Sequence, residues 1–477
     1  MVNILSLLST VIIVPFVGMI FALMAKDDDE TSRYNVFNVG IFTVIVNLVL
    51  IWRVFWIVNV SQPGLQLIEK FNWLETPNID IIFGIDVFSL LLIGAVHLAF
   101  LIVMVGVRNS PFHPKSMMVF ALMFLGSITG FFIAADIFSF YIFFEAMLLP
   151  LYMLIGKFGD IKKPQSLYRF FLYNLLGAVI MFVAVVMIFD FQSGMELSRV
   201  RALPMQTPVQ YFIWGGVFVS FLFRIPVWPF HYWISVIGSG VKNPLVFLVV
   251  NLLPLTGVYG FVRFLPQTLP DGAAYYILAL EIISVVTMLF IALIAFINKD
   301  FQYKMFAYLT VYYIMYLLGV LSRTELILFN IGFSFFSFLI IVATLEVVSQ
   351  YIHFQQENLD IGCEGLLCAT PRLSFIYSFF ILAAVGLPLS SLFMNNFLLL
   401  ADLLAFNLRM GLVVVFSLIL LAGTLLGTLY RLKDRSKFCA DQTCAQDIST
   451  PVFAFGLFVV FVLLMSFIRP LWFVVGV

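Results

Sequence analysis

The sequence specifies an all-α polytopic membrane protein, and three observations carry that reading. Hydrophobic residues make up 63% of the chain and charged residues 10%, whereas a soluble domain carries about 25% charged residues. The mean hydropathy is +1.11, too apolar for a surface covered by water. The apolar runs are long and continuous rather than alternating. In hydrocarbon every backbone amide must be satisfied within its own segment or in a closed barrel, so runs of this kind are helices. The net charge of zero leaves no basic excess to neutralise phosphates, which argues against a nucleic-acid partner.

A span needs about 20 apolar residues, and by that length the chain divides into about fourteen. They run over 2–25, 36–58, 85–107, 115–134, 136–156, 167–190, 209–235, 242–265, 275–297, 303–322, 326–350, 372–402, 409–430 and 449–473. The first run lacks a basic n-region and a small-residue cleavage site, so it reads as a retained helix rather than a signal peptide.

The basic residues orient these spans. Loops after odd-numbered spans, with the adjoining span ends, hold Lys26, Arg33, Arg108, Lys115, Lys157, Lys162, Lys163, Arg169, Lys242, Lys299, Lys304, Arg372, Arg431, Lys433, Arg435 and Lys437. Loops after even-numbered spans hold only Lys70, Arg199, Arg201, Arg263, Arg323 and Arg409. The positive-inside rule therefore puts the odd-span loops on the cytoplasmic or equivalent organellar side and both termini outside. Cys363, Cys368, Cys439 and Cys444 fall in two of those reducing loops. They read as free thiols rather than disulfides, and their spacing is looser than zinc sites show.

A charge near the bilayer centre costs several kcal/mol, so each ionisable group there is a functional candidate. The candidates are Glu145, Arg224, Arg53, Asp190, Glu281, Glu346, His97 and His231. Asp86, Asp136, Asp190 and Glu346 lie near span ends, where reaching interfacial water is the plainer expectation. Glu145 differs, being flanked by Phe143, Phe144, Met147, Leu148 and Leu149. A carboxylate in such company suits a group that exchanges protons near neutral pH. It equally suits a paired acid that fastens two helices, with Arg224 as the expected partner.

Two spans read as broken. Span 7 carries Pro226 and Pro229 within Arg224-Ile-Pro-Val-Trp-Pro-Phe-His231, and span 12 carries Gly386-Leu-Pro388 followed by Ser390, Ser391, Asn395 and Asn396. Proline removes a backbone donor, and the freed carbonyls are tolerated only where protein or a water-filled cavity meets them. Interrupted helices five spans apart point to an inverted-repeat transporter with a path at mid-membrane.

These residues resemble a known family. Asp136-Ile-Phe-Ser-Phe-Tyr-Ile-Phe-Phe-Glu145-Ala-Met-Leu-Leu-Pro150 is similar to the fifth-helix signature of the antiporter-like subunits of respiratory complex I, closest to chain M, the mitochondrial subunit 4 family. Gly84-Ile-Asp86, Arg169–Gly177, Pro226–Trp233, Leu255–Phe264, Lys304–Tyr308 and Gly386–Pro388 with Phe393 and Phe397 agree in order, over about residues 84 to 400. The resemblance implies a single membrane domain (1–477): N-terminal helices 1–3 (1–114), two inverted five-helix repeats (115–265 and 275–430) and a last helix (449–477). It also implies a line of charged residues joining two half-channels, from a helix-5 glutamate through lysines of helices 7 and 8 and a helix-10 polar position to a helix-12 acid or lysine.

This chain departs from that line. Glu145 is kept, but Arg224 holds the helix-7 lysine position, Leu255 the helix-8 lysine, Tyr313 the helix-10 histidine and Asn396 the helix-12 acid. The loop between Trp233 and Pro244 also lacks the family's acidic and histidine residues. Arginine stays protonated and cannot relay, while leucine and asparagine have no titratable proton. The proton-path candidates are therefore Glu145, Arg224, His231, Tyr313 and Asn396, on a scaffold whose relay is partly lost. The implied role is a membrane subunit of NADH-quinone oxidoreductase in the bacterial inner or mitochondrial inner membrane, among other membrane subunits. NADH, FMN, Fe–S clusters and quinone would belong to those partners. A subunit of a multisubunit cation/proton antiporter and a non-pumping structural paralogue are the alternatives.

Overall fold

The computed structural model describes residues 6–26, 30–60, 62, 64–74, 79–108, 114–159, 164–191, 207–231, 233, 237, 241, 243–264, 270–298, 301–321, 325–359, 366–388, 390–434 and 447–475. Each predicted span has a helical counterpart among them. The helices are α1 (Leu7–Met24), α2 (Glu30–Ile57), α3 (Val87–Val107), α4 (Pro114–Ile133), α5 (Ile137–Ala146), α6 (Leu148–Phe158), α7 (Pro164–Phe191), α8 (Thr207–Leu222), α9 (Pro244–Phe264) and α10 (Pro270–Ile297). They continue with α11 (Phe301–Leu321), α12 (Glu325–Leu359), the short α13 (Leu366–Ala369), α14 (Pro371–Val385), α15 (Ser391–Phe406), α16 (Leu408–Leu432) and α17 (Thr450–Val475). Among the described residues, eleven segments are long and apolar enough to cross a membrane, α5 with α6 forming one of them, and four shorter apolar stretches in α8, α14, α15 and α17 accompany them.

Burial sorts the helices into a centre and a rim. α9 is buried throughout its membrane segment and α11 almost throughout, while α12 and α4 are mostly buried. α12 lies along α3 and also packs on α9, α11, α14, α15 and α17. At the rim, α1, α2, α7, α10 and α16 expose Phe21, Trp52, Phe182, Leu278 and Ile419. Large apolar side chains on an outer face are what lipid solvates, as the composition requires.

Between spans 2 and 3, where only a loop was expected, an antiparallel hairpin pairs β1 (Gln66–Leu74) with β2 (Ile79–Ile85). Glu69 of the hairpin and carboxylates of several turns cap helix ends. Glu69 accepts from Leu8 N at 2.8 Å and Ser9 N at 3.0 Å, and so closes the start of α1. Asp136, fully buried, accepts from Ser139 N at 2.7 Å, from the Ser139 hydroxyl and from Ile82 N at 2.7 Å. That joins the N-cap of α5 to β2. Asp86 is the N-cap of α3 and accepts from Ser89 N at 2.8 Å and Arg263 Nη1 at 2.7 Å. Asp447 accepts from the backbone amides of Arg372 and Leu373 at the start of α14. Each such carboxylate meets the donors a helix start leaves unpaired. Asp86 and Asp136 therefore do not simply reach interfacial water, the plainer expectation for both.

Other candidates also settle into structural places. His97 is fully buried, its Nδ1 2.8 Å from Ile93 O and its Nε2 2.8 Å from Asn47 Nδ2. Asn47 also donates to Val11 O at 3.0 Å, so one polar contact ties α3 to α2 and α1. Arg53 is exposed near the end of α2, where its long side chain can reach polar surroundings. Lys304, counted with the loops and adjoining span ends, is buried in the first turn of α11.

Candidate functional site: the polar line through the helix breaks

Both predicted breaks are present. α8 ends at Leu222, and the chain turns through 223–231, with Trp228 N donating to Thr287 Oγ1 of α10 at 2.9 Å. α14 ends at Val385 with Gly386 in the left-handed region, φ 110°. Gly386 N bonds Ala383 O at 3.2 Å and Leu387 N bonds Leu382 O at 2.9 Å, the two hydrogen bonds of a Schellman ending, which glycine favours. A third break separates α5 from α6 at Met147, one turn before Pro150 is accommodated.

What the breaks expose is met by the candidate side chains. Arg224, 1% exposed, donates through Nη2 to Phe144 O at the α5–α6 break and through Nη1 to Thr256 Oγ1 of α9 at 3.1 Å. Its guanidinium carbon lies 3.2 Å from the centroid of the Phe144 ring. The expected Glu145–Arg224 ion pair does not form: among the described residues, the direct ion pairs are Lys70–Asp80 and Arg263–Asp86. The planar fork is taken by a carbonyl, a hydroxyl and an aromatic face, arrangements that guanidinium geometry suits. Glu145 is half-buried and accepts instead from the Tyr141 hydroxyl one turn earlier, at 3.1 Å.

The tyrosines of α11 do the same for the second break. Pro388 has no amide to offer Ala384 O, four residues before it. Tyr308 and Tyr312 donate to that carbonyl at 3.0 and 3.2 Å. Tyr313, fully buried, donates to Asn251 O of α9 at 2.7 Å, in the turn before Pro254. Asn396 is 8% exposed, and its Oδ1 lies 3.5 Å from the Tyr316 hydroxyl, a long contact. Tyr308, Tyr312 and Tyr316 were not singled out from sequence. Their spacing of four on one helix was the available signal.

Loss of both donors at one carbonyl should cost more than the sum of the single losses. Tyr308→Phe or Tyr312→Phe alone leaves Ala384 O one partner and is expected to cost under about 1 kcal/mol, whereas the double variant orphans it and costs about 1–3 kcal/mol. Thermal melting in detergent checks this, and simple additivity would contradict it.

Between the two anchored groups lies an apolar stretch. On α9, Asn251 takes Tyr313 and Thr256 takes Arg224, while Leu252, Leu253, Leu255 and Val258 are fully buried between and around them. Five residues of helix rise about 7.5 Å, a separation with no titratable side chain on α9 to bridge it. His231 stands apart, half-buried with its ring edge-on to Phe290 at 6.0 Å, and joins none of the other four candidates by a hydrogen bond. Of the cysteines, Cys368 is described, its Sγ 3.4 Å from Lys433 O, and Cys363, Cys439 and Cys444 lie outside the described residues. Most of the loop from Trp233 to Pro244 does too. No group of three potential metal ligands is found among the described residues.

Comparison with known proteins places this geometry in context. Residues 134–422 match the family model described as NADH:quinone oxidoreductase/Mrp antiporter, TM. Subunit M of the NADH-quinone oxidoreductase of Rickettsia typhi is 25% identical over 437 residues, covering 90% of this chain and 87% of that protein. Chain 4 of the Arabidopsis thaliana NADH-ubiquinone oxidoreductase is 28% identical over 439 residues, covering 89% and 85%. A chain of Thermus thermophilus respiratory complex I superposes with a TM-score of 0.86 at 22% identity, covering 97% of this chain and 96% of that one. A chain of an archaeal membrane-bound sulfane sulfur reductase superposes with a TM-score of 0.82 at 15% identity, covering 96% and 76%. At those identities the two structures report the fold alone.

Proposed function

Because the chain belongs to the NADH:quinone oxidoreductase/Mrp antiporter transmembrane family, we propose that it is the antiporter-like membrane subunit of a respiratory NADH-quinone oxidoreductase in which the proton relay between the two half-channels is interrupted. Its curated relatives carry the names subunit M and chain 4 over about nine-tenths of its length. It is a multi-pass membrane protein whose partners are the other membrane subunits of such a complex. Redox cofactors belong to those partners in this reading. The division into repeats at 115–265 and 275–430 and the placement of both termini outside, on the charge bias of the loops, are parts of the same proposal.

One observation carries the interruption. Arg224 and Tyr313, which occupy the helix-7 and helix-10 relay positions, are spent on backbone and hydroxyl acceptors, and buried Leu255 separates them. A relay group must accept a proton from one side and release it to the other. A guanidinium stays protonated, and the Tyr313 phenol, anchored on Asn251 O, meets no base among the described residues to receive its proton. Arg224 instead ties the breaks of spans 5 and 7 to α9, and Tyr313 fastens α11 to α9.

Two measurements test the reading. Purification of the tagged chain in mild detergent, with mass spectrometry of what accompanies it, should recover membrane subunits of the oxidoreductase. Recovery with cation/proton-antiporter subunits would overturn the assignment. Glu145→Ala should then lower the amount of assembled complex more than the transport rate of the complex that remains, and the reverse order would count against a scaffolding role.

A further inference from the structure

A carboxyl group outside the central line has no role in that account. Glu346 sits on α12 and is 1% exposed. It lies six residues before Ile352, the end of the apolar segment, or about 9 Å of helix rise. On the charge bias of the loops, that end faces the side bearing the Lys- and Arg-rich segments. Its Oε1 accepts from Gln302 Nε2 at 3.2 Å, and Gln302 lies in the first turn of α11, at the same face of the membrane. Its Oε2 has no hydrogen-bond partner. The helix around it is tightly closed, since a Cβ on Gly106 of α3 would run into Val347.

No cation among the described residues pairs with it. Lys304 is buried on α11 but makes no direct ion pair with Glu346. Arg108, at the end of α3, lies over the Tyr34 ring at 5.8 Å. Arg372, at the start of α14, is bound to Asp447 through its amide and to Thr450 through its side chain. An ionised carboxylate with one amide partner and no counter-charge would be a costly occupant of this position. A neutral carboxylic acid is not, because its hydroxyl adds a donor and the charge is gone.

We infer that Glu346 is a proton-binding site reached from the basic face, carried as a carboxylic acid whose carbonyl oxygen is held by Gln302. The proton leaves Oε2 for water at that face as the carboxylate forms, and returns by the same route. Such a site gives the second half of the chain an exchangeable proton without any transfer through α9. It therefore stands whether or not the central line conducts.

Infrared difference spectra of the purified complex, recorded between neutral and alkaline buffer, test the inference. The parent should show a carboxylic-acid C=O band that disappears at alkaline pH and is missing from Glu346→Gln at both. Identical difference spectra in parent and variant would show that Glu346 exchanges no proton between the two buffers and would overturn it. If Glu346→Gln does not assemble, Gln302→Leu provides the second reading. Removal of its hydrogen bond must shift the same band to higher frequency, and an unmoved band overturns the inference. A failure of the interrupted-relay account would appear in proton stoichiometry, which these spectra do not read.

Discussion

Asp86→Ala is expected to lower stability by about 3–5 kcal/mol, the cost of leaving a buried charge without its partner. Arg263 is mostly buried and donates to Asp86 at 2.7 Å through Nη1 and to the Tyr259 hydroxyl at 2.7 Å through Nε. Tyr259 passes the contact on, donating to Phe132 O at 2.8 Å in the last turn of α4. Removing the carboxylate thus strips the N-cap of α3 and frees a guanidinium at the meeting point of α3, α4 and α9. The double variant Asp86→Ala with Arg263→Met should recover most of the loss, since the uncompensated charge is gone. Melting of the purified protein in detergent would show both effects. A parent-like single variant, or a double variant no better than the single, would contradict the argument.

Asp136→Ala should be nearly as damaging, for a different reason. The side chain is fully buried and serves three donors, two of them backbone amides at Ile82 and Ser139. Each orphaned buried amide costs about 1–3 kcal/mol, and the two losses fall together. Asp136→Asn keeps one acceptor but turns an N–H group toward a donor, so it should fall between parent and alanine. Because Ile82 belongs to the hairpin and Ser139 to α5, hydrogen exchange at both should rise together. Protection lost at α5 alone would mean that the hairpin is held by other contacts, such as the Trp73–Phe138 stack at 5.1 Å.

The fold was largely legible because its determinant is composition along the chain. A run of apolar residues in lipid has one outcome, and prolines mark where that outcome fails. The hairpin was not read, because its burial and its polarity do not run together: Glu69 and Phe71 are half-buried while Ile68, Lys70 and Asn72 are exposed. With an apolar residue outside and a charged one inside, polarity along the chain carries no period of two. The candidate residues could be named from the sequence, but their bonds could not. Arg224 and Tyr313 were placed on the line by their positions, yet each is anchored on a backbone carbonyl. Those are acceptors that every residue carries, so no side-chain pattern announces them. The choice of Glu145 as the partner of Arg224 failed for this reason, since Phe144 O and the Phe144 ring lie on the same break and take the guanidinium first.

The central claim, that the relay through this chain is interrupted, is tested most directly at Glu145. Glu145→Gln keeps the size and the hydrogen bond from Tyr141 while removing the titratable proton. In the assembled complex reconstituted into vesicles, the protons translocated per NADH oxidised should equal those of the parent. A lower ratio in the variant, at parent-like assembly and NADH oxidation, would show that protons do pass along this line and would contradict the account.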